Sequence, residues 1–195
     1  TSAVNTPEEL SATTPQLFKD IDRVSLNTLK ECMQTVYEDG PKRDQRLWLG
    51  DLYLEALANN YSFKQYDLTK RCLYLLASLS EHNGKLNATV FEAPEPKPQA
   101  RQHLYDYSFL FSVTLKDYLL ETGDRETAED LWPVVKKQLE SAYKYLQDDG
   151  MMNYEQASRE WWIFFDWKDG LHREVAFHGV TIFAFRETYE LAQLL

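Results

Sequence analysis

Three carboxylates and an indole fall within thirteen residues: Asp39, Asp44, Trp48 and Asp51 in "DGPKRDQRLWLGD". Lys42, Arg43 and Arg46 are threaded among them. Neighbouring acids can hold and deliver a proton, which is the equipment of acid–base chemistry. An aromatic face rimmed by carboxylates also suits a sugar, the indole covering the apolar side of the ring and the acids taking its hydroxyls. If residues 44–51 are helical, a rotation of 100° per residue sets Asp44, Trp48 and Asp51 within about 60° of one another. The same residues also read as a solvated helix start, with the three cations paired to the acids and Trp48 in the core.

A second cluster, "REWWIFFDWKDG" at 159–170, puts three tryptophans and two phenylalanines beside Asp166 and Asp169. One reading is a core plug with Asp166 capping a turn. The other is an aromatic wall with Asp166 aimed at ligand hydroxyls. An acid between Phe165 and Trp167 needs a partner in either case, because burying it unpaired is costly.

The elements that must position these residues are helical. Residues 1–19 hold turn formers and little periodicity and read as a lead-in to a domain spanning 20–195. Ile21, Val24, Leu29, Met33 and Val36 follow three-four spacing and predict a helix from Asp20 to Glu38, stopped by Gly40 and Pro41. Further helices are expected from Asp44 to Tyr61 and from Tyr66 to Ser80. The proline-bearing stretch 81–100 reads as a long irregular loop. A helix through Leu104, Tyr107, Phe111, Leu115 and Tyr118 ends at Gly123, and Asp124 caps the next, which runs to about Gln147. Residues 151–170 read as loop or extended chain, and a sixth helix begins near Leu171. The last helix meets no stop signal.

The totals agree with a helical domain. The 195 residues include only 7 Gly and 7 Pro, with 44% apolar and 14% aromatic side chains. A formal charge of −10 argues against nucleic acid and anionic membrane surfaces as partners. Cys32 and Cys72 lie in helical stretches and read as buried thiols rather than a disulfide framework. Nothing calls for a cofactor or a metal, and no repeat of fixed period marks a solenoid.

The first cluster closely resembles the signature of the α-L-rhamnosidase-like glycoside hydrolases. "YDYSFLF", "DYLLETGDRETAEDLWPVV" and "WWIFFDWKDGLHREVAFHGVTIFA" resemble later parts of the same domain, in the same order, across most of 20–195. The resemblance implies an (α/α)6 barrel of six helical hairpins, of which about half is expected here. It implies inverting hydrolysis of terminal α-L-rhamnosyl or related deoxyhexosyl glycosides. It casts Asp44 as general acid, and Asp39, Trp48, Asp51, Asp166 and Trp167 as substrate-binding residues supported by Arg43 and Arg46. It also implies a carbohydrate partner, the remaining helices of the domain, a general base outside this chain and an extracytoplasmic location. One departure stands out: the family's acid is usually glutamate, and Asp44 is one methylene, about 1.5 Å, shorter. That keeps a non-catalytic carbohydrate-binding or structural domain in play, beside other six-hairpin glycosidases.

Overall fold

The computed structural model describes residues 1–100 and 102–195. It contains seven helices and three short strands: α1 Gln16–Cys32, β1 Leu47–Trp48, α2 Leu49–Asn60, α3 Tyr66–Ser78, β2 Thr89–Phe91, β3 Lys97–Pro98, α4 Tyr105–Thr122, α5 Arg125–Tyr143, α6 Tyr154–Glu160 and α7 Arg173–Leu194. Helix α4 is apolar or small on almost every face and is correspondingly buried from Tyr105 to Leu119. A helix without a polar face has to be surrounded, and α2, α3, α5 and α7 all pack against it.

Two pairs are hairpins: α2 with α3, and α4 with α5, each joined by a short connection and packed together. The Gly123 turn is left-handed (φ 71°), and Asp124 accepts from the Thr127 N–H at 3.1 Å, so exit and entry are capped within two residues. Helices α2, α4 and α7 form the inner row. Tyr107 near the start of α4 lies over Gly50 near the start of α2, so close that a Cβ at Gly50 would come within 2.4 Å of its ring. Tyr105 meets Phe177 at 4.6 Å, Ser112 accepts from Thr188 at 2.7 Å, and Lys116 is bonded to Glu187. From Tyr105 to Ser112 the α4 partners move from Phe177 to Thr188, and from Gly50 to Tyr53 the α2 neighbours move from Tyr107 to Asp117, so the three inner helices run parallel and begin at one end.

Four expectations are corrected. The first helix ends at Cys32, because the chain turns back on itself there and pairs Met33 with Tyr37. The second begins at Leu49 instead of Asp44, because residues 40–46 form a tight loop and 47–48 a strand. The stretch 81–100 is not wholly irregular. It supplies β2 and β3 to an antiparallel sheet of order β1-β2-β3, with Leu47 opposite Val90 and Phe91 opposite Lys97. Residues 151–170 contain α6, capped by Asn153, which accepts from the Gln156 N–H at 2.9 Å. At the amino end, Ala3 is buried and Asn5 donates to the Phe63 carbonyl at 2.7 Å.

Candidate active site

The stretches that precede the inner helices meet at one end of the fold, and the two sequence clusters lie there. Asp39 to Arg46 closes on itself. The Asp39 N–H donates to the Arg46 carbonyl at 3.2 Å, and the Arg46 N–H to Asp39 Oδ1 at 3.4 Å. Gln45 donates its side-chain amide to the Pro41 carbonyl at 2.6 Å. Within this clasp, two consecutive residues are left-handed: Asp44 (φ 66°) and Gln45 (φ 51°). Such a conformation costs a non-glycine residue on the order of 1 kcal/mol, so the surrounding bonds must hold it. The single-helix-face geometry for Asp44, Trp48 and Asp51 is therefore overturned. Asp44 stands in a strained loop, Trp48 ends a strand and Asp51 lies in the first turn of α2.

The acids are nonetheless brought together. Arg46 is at the centre, its guanidinium 3.8 Å from the Asp44 carboxylate, 4.8 Å from the Trp48 ring centre and 5.2 Å from that of Phe91. It also donates to Gln99, on the segment after β3. Arg43 reaches Asp44 at 3.9 Å from an exposed position. Burial raises the Asp39 carboxyl above its ordinary range, the Arg46 N–H pulls it back, and the Asp44 charge pushes the same way as burial. Burial and then the Asp39 charge raise Asp51. One turn on, Glu55 is pushed to about 9 by burial and by Asp51, and its Oε2 is buried without a partner. These carboxyls hold protons more readily than they would in water and can donate as well as accept hydrogen bonds.

The next wall comes from the start of α4. Tyr107 meets Trp48 edge-on at 6.3 Å, and Asp51 and Asp106 raise its hydroxyl to about 12 after burial. Asp106 is 6% exposed, with Oδ1 unpartnered. Burial lifts its carboxyl to about 7, against the pull of its own N–H and those of Phe164 and Tyr107. Asp106 thus faces the backbone of the aromatic segment, while its neighbour Tyr107 faces the acid loop.

That segment combines both readings of its sequence. Trp161 and Ile163 are core, and the Trp161 indole donates to the Tyr145 hydroxyl at 2.9 Å. Trp162, Phe164 and Trp167 form an outer group, Trp167 lying 4.7 Å from Phe164 and 78% exposed. Asp166 is exposed and caps a turn, accepting from the Lys168 N–H at 2.9 Å. No hydrogen bond, ion pair or ring contact among the described residues joins Asp166 or Trp167 directly to Asp39, Asp44 or Asp51. The link runs through Asp106 and Tyr107, which the sequence reading missed although "YDY" at a helix start was visible. Glu55 was missed too, four residues after Asp51 and so on the same helix face. Among the described residues, no three His, Cys, Asp or Glu side chains are grouped to hold a metal ion.

A parallel inner row of helices, backed by outer ones and carrying its acids at the mouth, places the molecule with the six-hairpin glycosidases. Residues 11–186 match the bacterial α-L-rhamnosidase six-hairpin glycosidase domain, and the chain belongs to that family. Its fold matches a rhamnosidase from Klebsiella oxytoca with rhamnose bound, with a TM-score of 0.91 and 40% identity over 99% of this chain. It also matches a GH78 family rhamnosidase of Bacillus sp. GL1, with a TM-score of 0.78 and 22% identity over 97% of this chain, a likeness of fold alone. The chain spans 37% and 19% of those two chains, so it corresponds to part of their (α/α)6 architecture. No protein of curated function matches it.

Proposed function

We propose that this domain, within its complete enzyme, hydrolyses terminal α-L-rhamnosyl glycosides with inversion at the anomeric carbon. The observation that supports this most is the grouping of Asp39 and Asp44 with Arg46 and Trp48 at the inner-helix mouth, with Asp51 near enough to feel the Asp39 charge. The family and the rhamnose-bound relative supply the sugar. In this reading Asp44 protonates the glycosidic oxygen as the bond to the anomeric carbon breaks. Water adds from the opposite face and loses its proton to a base that is not assigned to any residue of 1–195. An inverting acid and base stand about 6.5–9.5 Å apart to admit that water.

Asp39 and Asp51 bind ring hydroxyls, and their raised carboxyls suit groups that exchange hydrogen bonds of either sense. Trp48 and Trp167 cover apolar ring faces, and Asp166 reaches a hydroxyl beside Trp167. Arg46, with Arg43 outside it, holds Asp44 in its left-handed position. The fixed loop also bears on the shorter acid, since a clasped backbone can bring aspartate as near the oxygen as glutamate reaches from a looser one.

The experiment uses the complete enzyme and an aryl α-L-rhamnoside. Proton magnetic resonance should show the β-anomer of rhamnose appearing first, and Asp44→Asn should lower kcat by about 10²–10⁴. Full activity in the Asn variant would falsify the assignment of the acid. Sugar binding without turnover in the wild type would instead favour the non-catalytic carbohydrate-binding reading.

A further inference from the structure

Among the described residues, one hydrogen bond holds the Arg46 guanidinium. Its Nη1 donates to Gln99 Oε1, which lies 53 residues further along the chain. Its Nε is buried without a partner, and its Nη2 stands 3.8 Å from the Asp44 carboxylate, beyond hydrogen-bond reach. The residue beside the candidate acid is thus fixed from outside both sequence clusters.

The small sheet explains how Gln99 comes to be there. Leu47 lies opposite Val90 and both are fully buried, so by alternation Arg46 and Trp48 share the other face. The register sets Arg46 across from Phe91, and Phe91 across from Lys97. Two residues on, the Gln99 N–H donates to the Thr89 carbonyl at 3.1 Å, which extends the ladder and puts Gln99 on the face of Lys97. The guanidinium lies 4.8 Å from the Trp48 ring centre and 5.2 Å from that of Phe91. Rings attract a cation without choosing a direction for its arms, so Gln99 is what sets that direction.

A guanidinium fork that meets a carboxylate with both terminal arms makes one of the strongest pairs open to either group. A fork closed on Asp44 in that way would favour the ionised carboxylate, which has no proton to give. With Nη1 engaged by Gln99, the two terminal arms cannot both turn to Asp44. We propose that Gln99 is a positioning residue for the general acid. It restrains Arg46 where the cation orders the acid loop without closing on Asp44, and so leaves Asp44 free to deliver its proton. The inference rests on the reading of Asp44 as the acid and makes the sheet β1-β2-β3 part of the device that presents it.

Two substrates that share a sugar and a ring test it in the complete enzyme: phenyl α-L-rhamnoside and its dinitrophenyl counterpart. Phenolate departs readily only with a proton, whereas dinitrophenolate departs unaided, so the ratio of the two kcat values reports the acid step. Gln99→Leu fills the space without accepting, and should lower the phenyl-to-dinitrophenyl ratio about tenfold, a fraction of what a general acid contributes. Turnover of the dinitrophenyl substrate shows at the same time that the variant folds. Gln99→Glu keeps an acceptor on the Arg46 arm and should restore most of the ratio. Equal losses on both substrates, an unmoved ratio, or a Glu variant no better than Leu would each overturn the proposal. Asp44→Asn on the same pair separates the two readings. If it lowers the ratio and Gln99→Leu does not, the role of Gln99 fails alone. If Asp44→Asn leaves the ratio where it was, the acid assignment fails and the positioning role falls with it.

Discussion

The acid loop and the aromatic segment stand at the same mouth, yet they are held in opposite ways. Residues 39–46 are fastened by their own hydrogen bonds, by Arg46 and by the sheet into which β1 leads. Asp39 is partly buried and senses the charge of Asp44, which is itself exposed. Residues 161–172 are anchored at one end by Trp161 and Ile163 and then run out to an exposed group of rings. The first arrangement ties its backbone and side chains to one another on several sides. The second offers apolar surface whose contacts are unfilled, which suits a ligand that completes the packing. In the proposed reading, one region supplies position and the other affinity.

Removing the centre of the acid loop should have the largest effect. Arg46→Met keeps much of the side-chain volume over Trp48 and Phe91 but deletes the charge beside Asp44 and the bond to Gln99. We expect a loss of about 2–3 kcal/mol in stability, seen as a lower midpoint in urea, together with a marked fall in kcat. A variant with unchanged midpoint and turnover would mean that the clasp stands without its cation, and the contrast between the regions would weaken.

Trp167→Ala probes the other side. The ring is mostly exposed and touches mainly Phe164 and Trp162, so thermal stability should hardly move. Loss of a sugar-facing ring should cost roughly tenfold in kcat/KM. A fall in melting temperature with unaltered kinetics would make the outer rings structural and would return the segment to its core-plug reading.

How far these features were legible in the sequence depended on the range of the interactions behind them. Gly123 and Asp124 announce a helix exit and entry because capping is local chemistry. The heart of α4 was legible because its apolar positions repeat. The start of α2 was misread because acids followed by an apolar run imitate a first helical turn, while the alternative, a left-handed Asp44–Gln45 pair, depends on bonds from Arg46 back to Asp39. Strands β2 and β3 were hidden because they are two or three residues long and exist only by pairing with β1, some forty residues earlier. The single helix face predicted for Asp44, Trp48 and Asp51 gives way to a loop, a strand end and a first helical turn, because the bonds that close residues 39–46 have no sequence period. Asp106 and the contact of Tyr107 with Trp48 had no sign in the sequence, because they arise across elements or from a partner that is lacking, and neither has a sequence period.

The effect expected to be smallest on turnover lies beneath the acid loop, at Glu55. Its carboxyl is raised from 4.5 to about 9 in the folded protein, so between those values the folded state keeps a proton that the unfolded chain has released. Stability must then fall as pH rises from about 4.5 towards 9, the group's contribution being fully present only at the acidic end. Asp39, Asp51 and Asp106 are shifted in the same direction and add to the slope. Glu55→Gln keeps the shape and cannot ionise. It should raise the melting temperature at pH 8 by a few degrees, leave it nearly unchanged at pH 4 and flatten the profile between. A variant less stable at pH 8 than the wild type would show that Glu55 is ionised and partnered there. The column of proton-holding carboxyls below the mouth would then end at Asp51, and the rigidity of the acid loop would have to come from its hydrogen bonds and Arg46 alone.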